Sequence, residues 1–143
     1  MQIGVETSKA VDQRRVFVVD EDEITRSVLQ FMLHDEIETH ELASPEEAFA
    51  KGQDWLKPDL ILLGISWIQK KGMDVVHAFS STYPGVRILI VCAKDEEKLA
   101  VEAMQAGAHG AVVKPLTIEA VRKKVDIVLG RSGAAPLIQL NIV

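Results

Sequence analysis

Hydrophobic and polar positions along the chain divide it into short apolar runs and longer stretches of helical spacing. Val16-Phe17-Val18-Val19 is continuously apolar and rich in β-branched residues, and it runs into the acidic cluster Asp20-Glu21-Asp22-Glu23. A strand buried on both faces, opening into a polar loop at its carboxyl end, fits that pattern. From Ile24 to His34 the apolar residues Ile24, Val28, Phe31 and Met32 recur at helical spacing. Ile37 to Leu42 reads as a second, weaker strand. Ser44-Pro45-Glu46-Glu47 then places a capping serine, a proline at the first helical position and a glutamate at the third, which predicts a helix running to about Gly52.

The same alternation continues to residue 129. Asp59 to Leu63 is a third strand, followed by a loop containing Lys70-Lys71-Gly72 and a helix over about 73–81. Val86 to Val91 predicts the fourth strand, and Asp95 to Ala106 a helix closed by Gly107. Ala111-Val112-Val113 predicts the fifth strand, and Thr117 caps a last helix reaching about Leu129. Five apolar strands alternating with five helices predict a doubly wound α/β fold, a parallel sheet covered on both faces by right-handed crossovers. Residues 1–13 are polar and aperiodic and are expected to be a loose arm, with the domain over 14–130. In the tail, residues 131–143, the alternation of Ile138, Gln139, Leu140, Asn141 and Ile142 suits an added strand at a sheet edge, in this molecule or in a homodimer.

Composition narrows the functional classes. A chain of 143 residues, 48% hydrophobic and 26% charged, is expected to fold as one domain with a real core. A formal net charge of -5 argues against direct nucleic-acid binding, which rests on clustered Lys and Arg. Cys92 is the one cysteine, so there is neither an internal disulfide nor a CxxC motif, and a reducing cytoplasm is the expected location. No signal-peptide pattern and no apolar run of membrane-spanning length appears, so no membrane association is expected. The four histidines, His34, His40, His77 and His109, match no metal signature. No Gly-rich phosphate loop or Ser-His-Asp arrangement supports an enzyme.

In open α/β sheets, ligands lie beyond the carboxyl ends of the strands, which directs attention to Asp20, Glu21, Asp22, Gly64, Cys92 and Lys114. Through VFVVDEDEITR, PDLILLGISW and ILIVCAKDEEKLAVEAMQAGAHGAVVKPL in this order, residues 14–130 resemble the receiver domain of response regulators in two-component signalling. That resemblance implies the flavodoxin-like strand order 2-1-3-4-5 and a histidine kinase or output protein as partner. It also implies phosphoryl transfer to an aspartate closing the third strand, beside a divalent cation held by Asp20 and Glu21. Lys114 would match the family's lysine, followed by a cis peptide to Pro115.

The departures fall where that chemistry would occur. Gly64 stands at the acceptor position and has no carboxylate. Cys92 replaces a hydroxyl residue, Ala111 replaces a switch aromatic, Trp67-Ile68 replaces Met-Pro, and Lys71 replaces an aspartate. A degenerate receiver that binds partners without being phosphorylated is the expectation; the alternative is a working receiver using Asp22 or Ser66. No cofactor is expected beyond weak magnesium binding at Asp20 and Glu21. Lys114 is expected to pair with one of these two, Trp67 either to fill the space beside Gly64 or to face a partner, and Cys92 to be a small buried hydrophobe, with redox sensing, which a pKa lowered by Lys114 would favour, as the lesser alternative. Lys98, Glu102, Ala111, Arg122 and Lys123 form the expected interface, where both signs of charge suit self-association.

Overall fold

The computed structural model describes residues 12–53 and 56–131. The strands are β1 (Asp12–Val19), β2 (Ile37–Leu42), β3 (Leu60–Gly64), β4 (Arg87–Cys92) and β5 (Gly110–Val113). All pairings are parallel, and the order is β2-β1-β3-β4-β5. Among the described residues six α-helices rather than five connect and follow them: α1 (Glu23–Leu33), α2 (Pro45–Lys51), α3 (Ile65–Lys71), α4 (Asp74–Thr82), α5 (Glu97–Gln105) and α6 (Ile118–Leu129). The expected arm falls mostly, and the expected tail strand wholly, outside the described residues.

Strand alternation divides the core into two layers, because successive side chains point to opposite faces. Phe17, Val19, Ile61, Leu63, Ile88, Ile90 and Cys92 pack against α2, α3, α4 and α5. Val16, Val18, Leu60, Leu62, Leu89, Val91 and Val112 pack against Leu29 and Leu33 of α1 and Val121 and Val125 of α6. Burial on both faces explains why these strands read as continuous apolar runs. Two caps behave as the sequence implies, Ser44 and Thr117 accepting from the backbone N–H groups of Glu47 and Ala120, and the structure adds a third, Asp22, which accepts from the Thr25 N–H.

The additional helix is α3, where the sequence reading placed a loop. It begins directly at the end of β3, with Gly64 in extended conformation at its N-cap. Ile65 and Ile68, three residues apart, enter the apolar layer. That burial acts together with the good helix propensity of Gln69, Lys70 and Lys71. Gly72 ends the helix at φ +75°, a left-handed conformation that glycine adopts at no steric cost.

Candidate functional site

The carboxyl ends of β1, β3, β4 and β5 bring Asp20, Gly64, Cys92 and Lys114 to one rim of the sheet, joined by Glu21 and Asp22 from the β1–α1 connection and by α3 from the end of β3. Register accounts for the convergence. Val19 lies opposite Leu63, Gly64 opposite Val91, and Cys92 opposite Val113, so consecutive strand ends align.

Asp20 is only 6% exposed, and its carboxylate lies over Gly64. A Cβ at position 64 would overlap it, 2.6 Å from the carboxyl carbon and 3.0 Å from Oδ1. The space beside Gly64 is therefore filled by Asp20 and not by Trp67. Oδ1 accepts from the Asp22 backbone N–H at 2.9 Å, while the Asp20 carbonyl accepts from the Arg26 guanidinium at 2.7 Å. Burial pushes the Asp20 pKa up, and the Asp22 N–H and the Lys114 charge offset only part of that. Asp22 caps α1, and its Oδ2 accepts from both the N–H and the hydroxyl of Thr25, which holds its carboxyl below the usual range.

Glu21 turns to a partner that sequence reasoning did not pair with it. Lys70 Nζ, from α3, lies 2.6 Å from Glu21 Oε1. That hydrogen bond is the main reason the Glu21 pKa is lowered. The Ser66 oxygen is buried without a hydrogen-bond partner among the described residues, as is the Trp67 indole nitrogen. Trp67 packs against the apolar layer, with the Lys70 and Lys71 ammoniums 5.4 and 5.8 Å from its ring centroid. Lys71 continues to Glu46 of α2 at 2.7 Å.

Lys114 does not form the expected ion pair: none involves it among the described residues within 4.0 Å, and its charge acts on Asp20 and Asp22 through space. Its backbone N–H donates to the Cys92 carbonyl at 2.8 Å, and the Lys114–Pro115 peptide is cis. Cys92 is fully buried. Burial, then Glu96 and Glu97, push its thiol pKa up and outweigh Lys114, which accords with a small buried hydrophobe and counts against the redox alternative. Ala111 is partly buried against the same layer.

Of the expected interface residues, Lys98, Glu102 and Lys123 are exposed. Arg122 is turned the other way. Its guanidinium donates to the Met32 carbonyl at 2.9 Å and pairs with Asp35 and Glu36 at the end of α1, so it ties α6 to α1 instead of serving a shared face with α5.

A divalent cation of the kind the resemblance implies needs several oxygen ligands. The residues present do not fit one: position 64 supplies no carboxylate, Asp20 is tucked over Gly64, and Glu21 is bound to Lys70. No group of three or more His, Cys, Asp or Glu side chains suited to a metal occurs among the described residues. Among those residues, too, no helix is long and apolar enough to cross a membrane.

Comparison with known proteins agrees with this layout. The family model for the response regulator receiver domain matches residues 16–126. The probable transcriptional regulatory protein TcrX of Mycobacterium tuberculosis is 31% identical over 121 residues, which cover 82% of this chain and 50% of TcrX. The chain thus spans about half the length of that relative. The chemotaxis protein CheY of Thermotoga maritima is 27% identical over 117 residues, 77% of this chain and 96% of CheY. Among solved structures, the receiver domain of NtrX from Brucella abortus superposes with a TM-score of 0.73 at 24% identity, covering 82% of this chain and 99% of that one. Strand order, rim geometry and the matched span together place the chain in the response regulator receiver domain family.

Proposed function

We propose that this receiver domain acts in two-component signalling as a protein-interaction module that is not switched by phosphorylation. One observation carries the reading: Gly64 closes β3 where the resemblance puts the phosphoacceptor, and the Asp20 carboxylate occupies the space a side chain at 64 would need. A glycine offers no oxygen to form an acyl phosphate. The other candidate acceptors are poorly placed for in-line attack, since Asp22 is engaged at the α1 cap and the Ser66 oxygen is buried. The module acts by presenting one surface to a signalling protein, a histidine kinase or an output protein, in the cytoplasm, and it performs no catalysis.

The test is intact-mass measurement after incubation with acetyl phosphate and magnesium. The expected result is an unchanged mass. A stoichiometric, hydroxylamine-labile gain of one phosphoryl group overturns the proposal.

A further inference from the structure

The acidic run Asp20-Glu21-Asp22-Glu23 gathers four carboxylates at the start of α1. In the folded domain three of them already have partners or a place. Asp20 is tucked over Gly64, Asp22 caps α1, and Glu21 meets an ammonium 49 residues further along the chain. That ammonium is delivered by α3, the helix that replaces the expected loop. Ile65 and Ile68 anchor α3 in the apolar layer, Lys71 ties it to Glu46 of α2, and the Gln69 amide reaches Glu96 at 3.5 Å. Trp67, beneath both lysines, limits where their side chains can go. Lys70 is thus held over Glu21 by a helix fixed at several points, unlike a lysine on a free loop.

We propose that Lys70 is a built-in counterion: its ammonium takes the electrostatic place that a divalent cation would otherwise take beside Glu21, so that the rim keeps one arrangement whether or not magnesium is present. The misfit between the acidic residues and a cation site then has a positive cause as well as the lack of a carboxylate at position 64. This inference deepens the reading of a receiver that is not switched, and it rests on that reading.

The experiment uses the whole chain with no phosphodonor, so it reads cation placement alone; an acyl phosphate adduct in the mass experiment would count against the unswitched reading and leave this result separate. Thermal unfolding is followed with and without about 10 mM magnesium for the wild type, Lys70→Met and Lys70→Arg. Magnesium is expected to move the wild-type and Lys70→Arg midpoints by less than about 1 °C. With Glu21 released in Lys70→Met, magnesium should raise the midpoint by about 3 °C, the size given by a ligand present at several times its dissociation constant. A magnesium-dependent rise in the wild type as large as in Lys70→Met overturns the proposal, and so does a Lys70→Met protein as indifferent to magnesium as the wild type.

Discussion

The two ends of the parallel sheet treat their polar groups differently. At the amino end, side chains complete the backbone. Asp59 accepts from the Arg15 N–H at 2.8 Å, His109 Nδ1 accepts from the Ile88 N–H at 3.0 Å, and the Arg14 and Arg87 guanidiniums donate to the carbonyls of Leu129 and Val128 at the end of α6. At the carboxyl end, Asp20 is buried with its pKa raised, the Ser66 oxygen and Trp67 nitrogen lack partners among the described residues, and Lys114 joins no ion pair there. Polar groups at the amino end hold the fold together. At the carboxyl rim Asp22 caps α1 and Lys70 pairs with Glu21, but Asp20 and Lys114 sit where stability alone would not put them, as is common where a fold carries a site.

Substitutions at the two ends and in the strands between them should differ in their cost. The strand interior, which serves both ends, should be the most sensitive: Leu62→Ala, at a fully buried position, is expected to cost about 2–5 kcal/mol in denaturant unfolding. Gly64→Asp comes next, at about 1–3 kcal/mol, because its Cβ displaces the Asp20 carboxylate and its charge adds to the acidic rim. Gly64→Ala should retain the steric part alone, offset by the lower entropy of its unfolded chain, and so be more stable than Gly64→Asp; equal stability of the two variants would show that the added charge contributes nothing. In the apolar layer behind the rim, Tyr83 donates its hydroxyl to the Ala48 carbonyl at 2.8 Å, near the C-terminus of α2. Tyr83→Phe should cost about 1 kcal/mol, the net worth of one such hydrogen bond.

The pH dependences of two carboxylates should have opposite signs. Glu38, hydrogen-bonded to Arg15 and His40 near the amino end, has its pKa lowered to about 2. Its contribution to stability is present above its unfolded value and is lost as pH falls from there towards 2. Glu38→Gln should therefore be less stable than wild type at neutral pH, with the gap closing in acid. Asp20 has a raised pKa, so its folded state favours the neutral acid, and the stability that this gives is present in acid and lost as pH rises through the folded value. Asp20→Asn, which resembles the neutral acid, should gain on the wild type as pH rises above the ordinary aspartate range. Melting curves across pH check both; gaps of the same sign would contradict the contrast between the two ends. The smallest effect is expected at the exposed Lys71–Glu46 pair, where Lys71→Met should change stability by under about 1 kcal/mol.

The buried strands were legible in the sequence because burial on both faces leaves apolar runs such as Leu60-Ile61-Leu62-Leu63 that polar residues do not interrupt. The capping residues Ser44 and Thr117 were legible because an N-cap depends on residues within one turn. The rim residues Asp20, Gly64, Cys92 and Lys114 could be placed from the strand ends. Their contacts could not. α3 was missed because only two of its seven residues are buried, and its helical state depends on what Ile65 and Ile68 meet in three dimensions. The Lys70–Glu21 contact joins residues far apart in sequence, and the turn of Arg122 towards α1 depends on how α6 packs; neither leaves a local pattern.

A receiver that is not switched keeps one arrangement of its carboxyl rim and does not respond to a phosphodonor. Amide spectra of 15N-labelled protein, recorded with and without acetyl phosphate and magnesium, test this most directly. The amides of Asp20 to Asp22, Gly64 to Ser66, Cys92 and Lys114 are expected to keep their positions. Shifts at these residues that extend along β4 and β5 would contradict the unswitched reading.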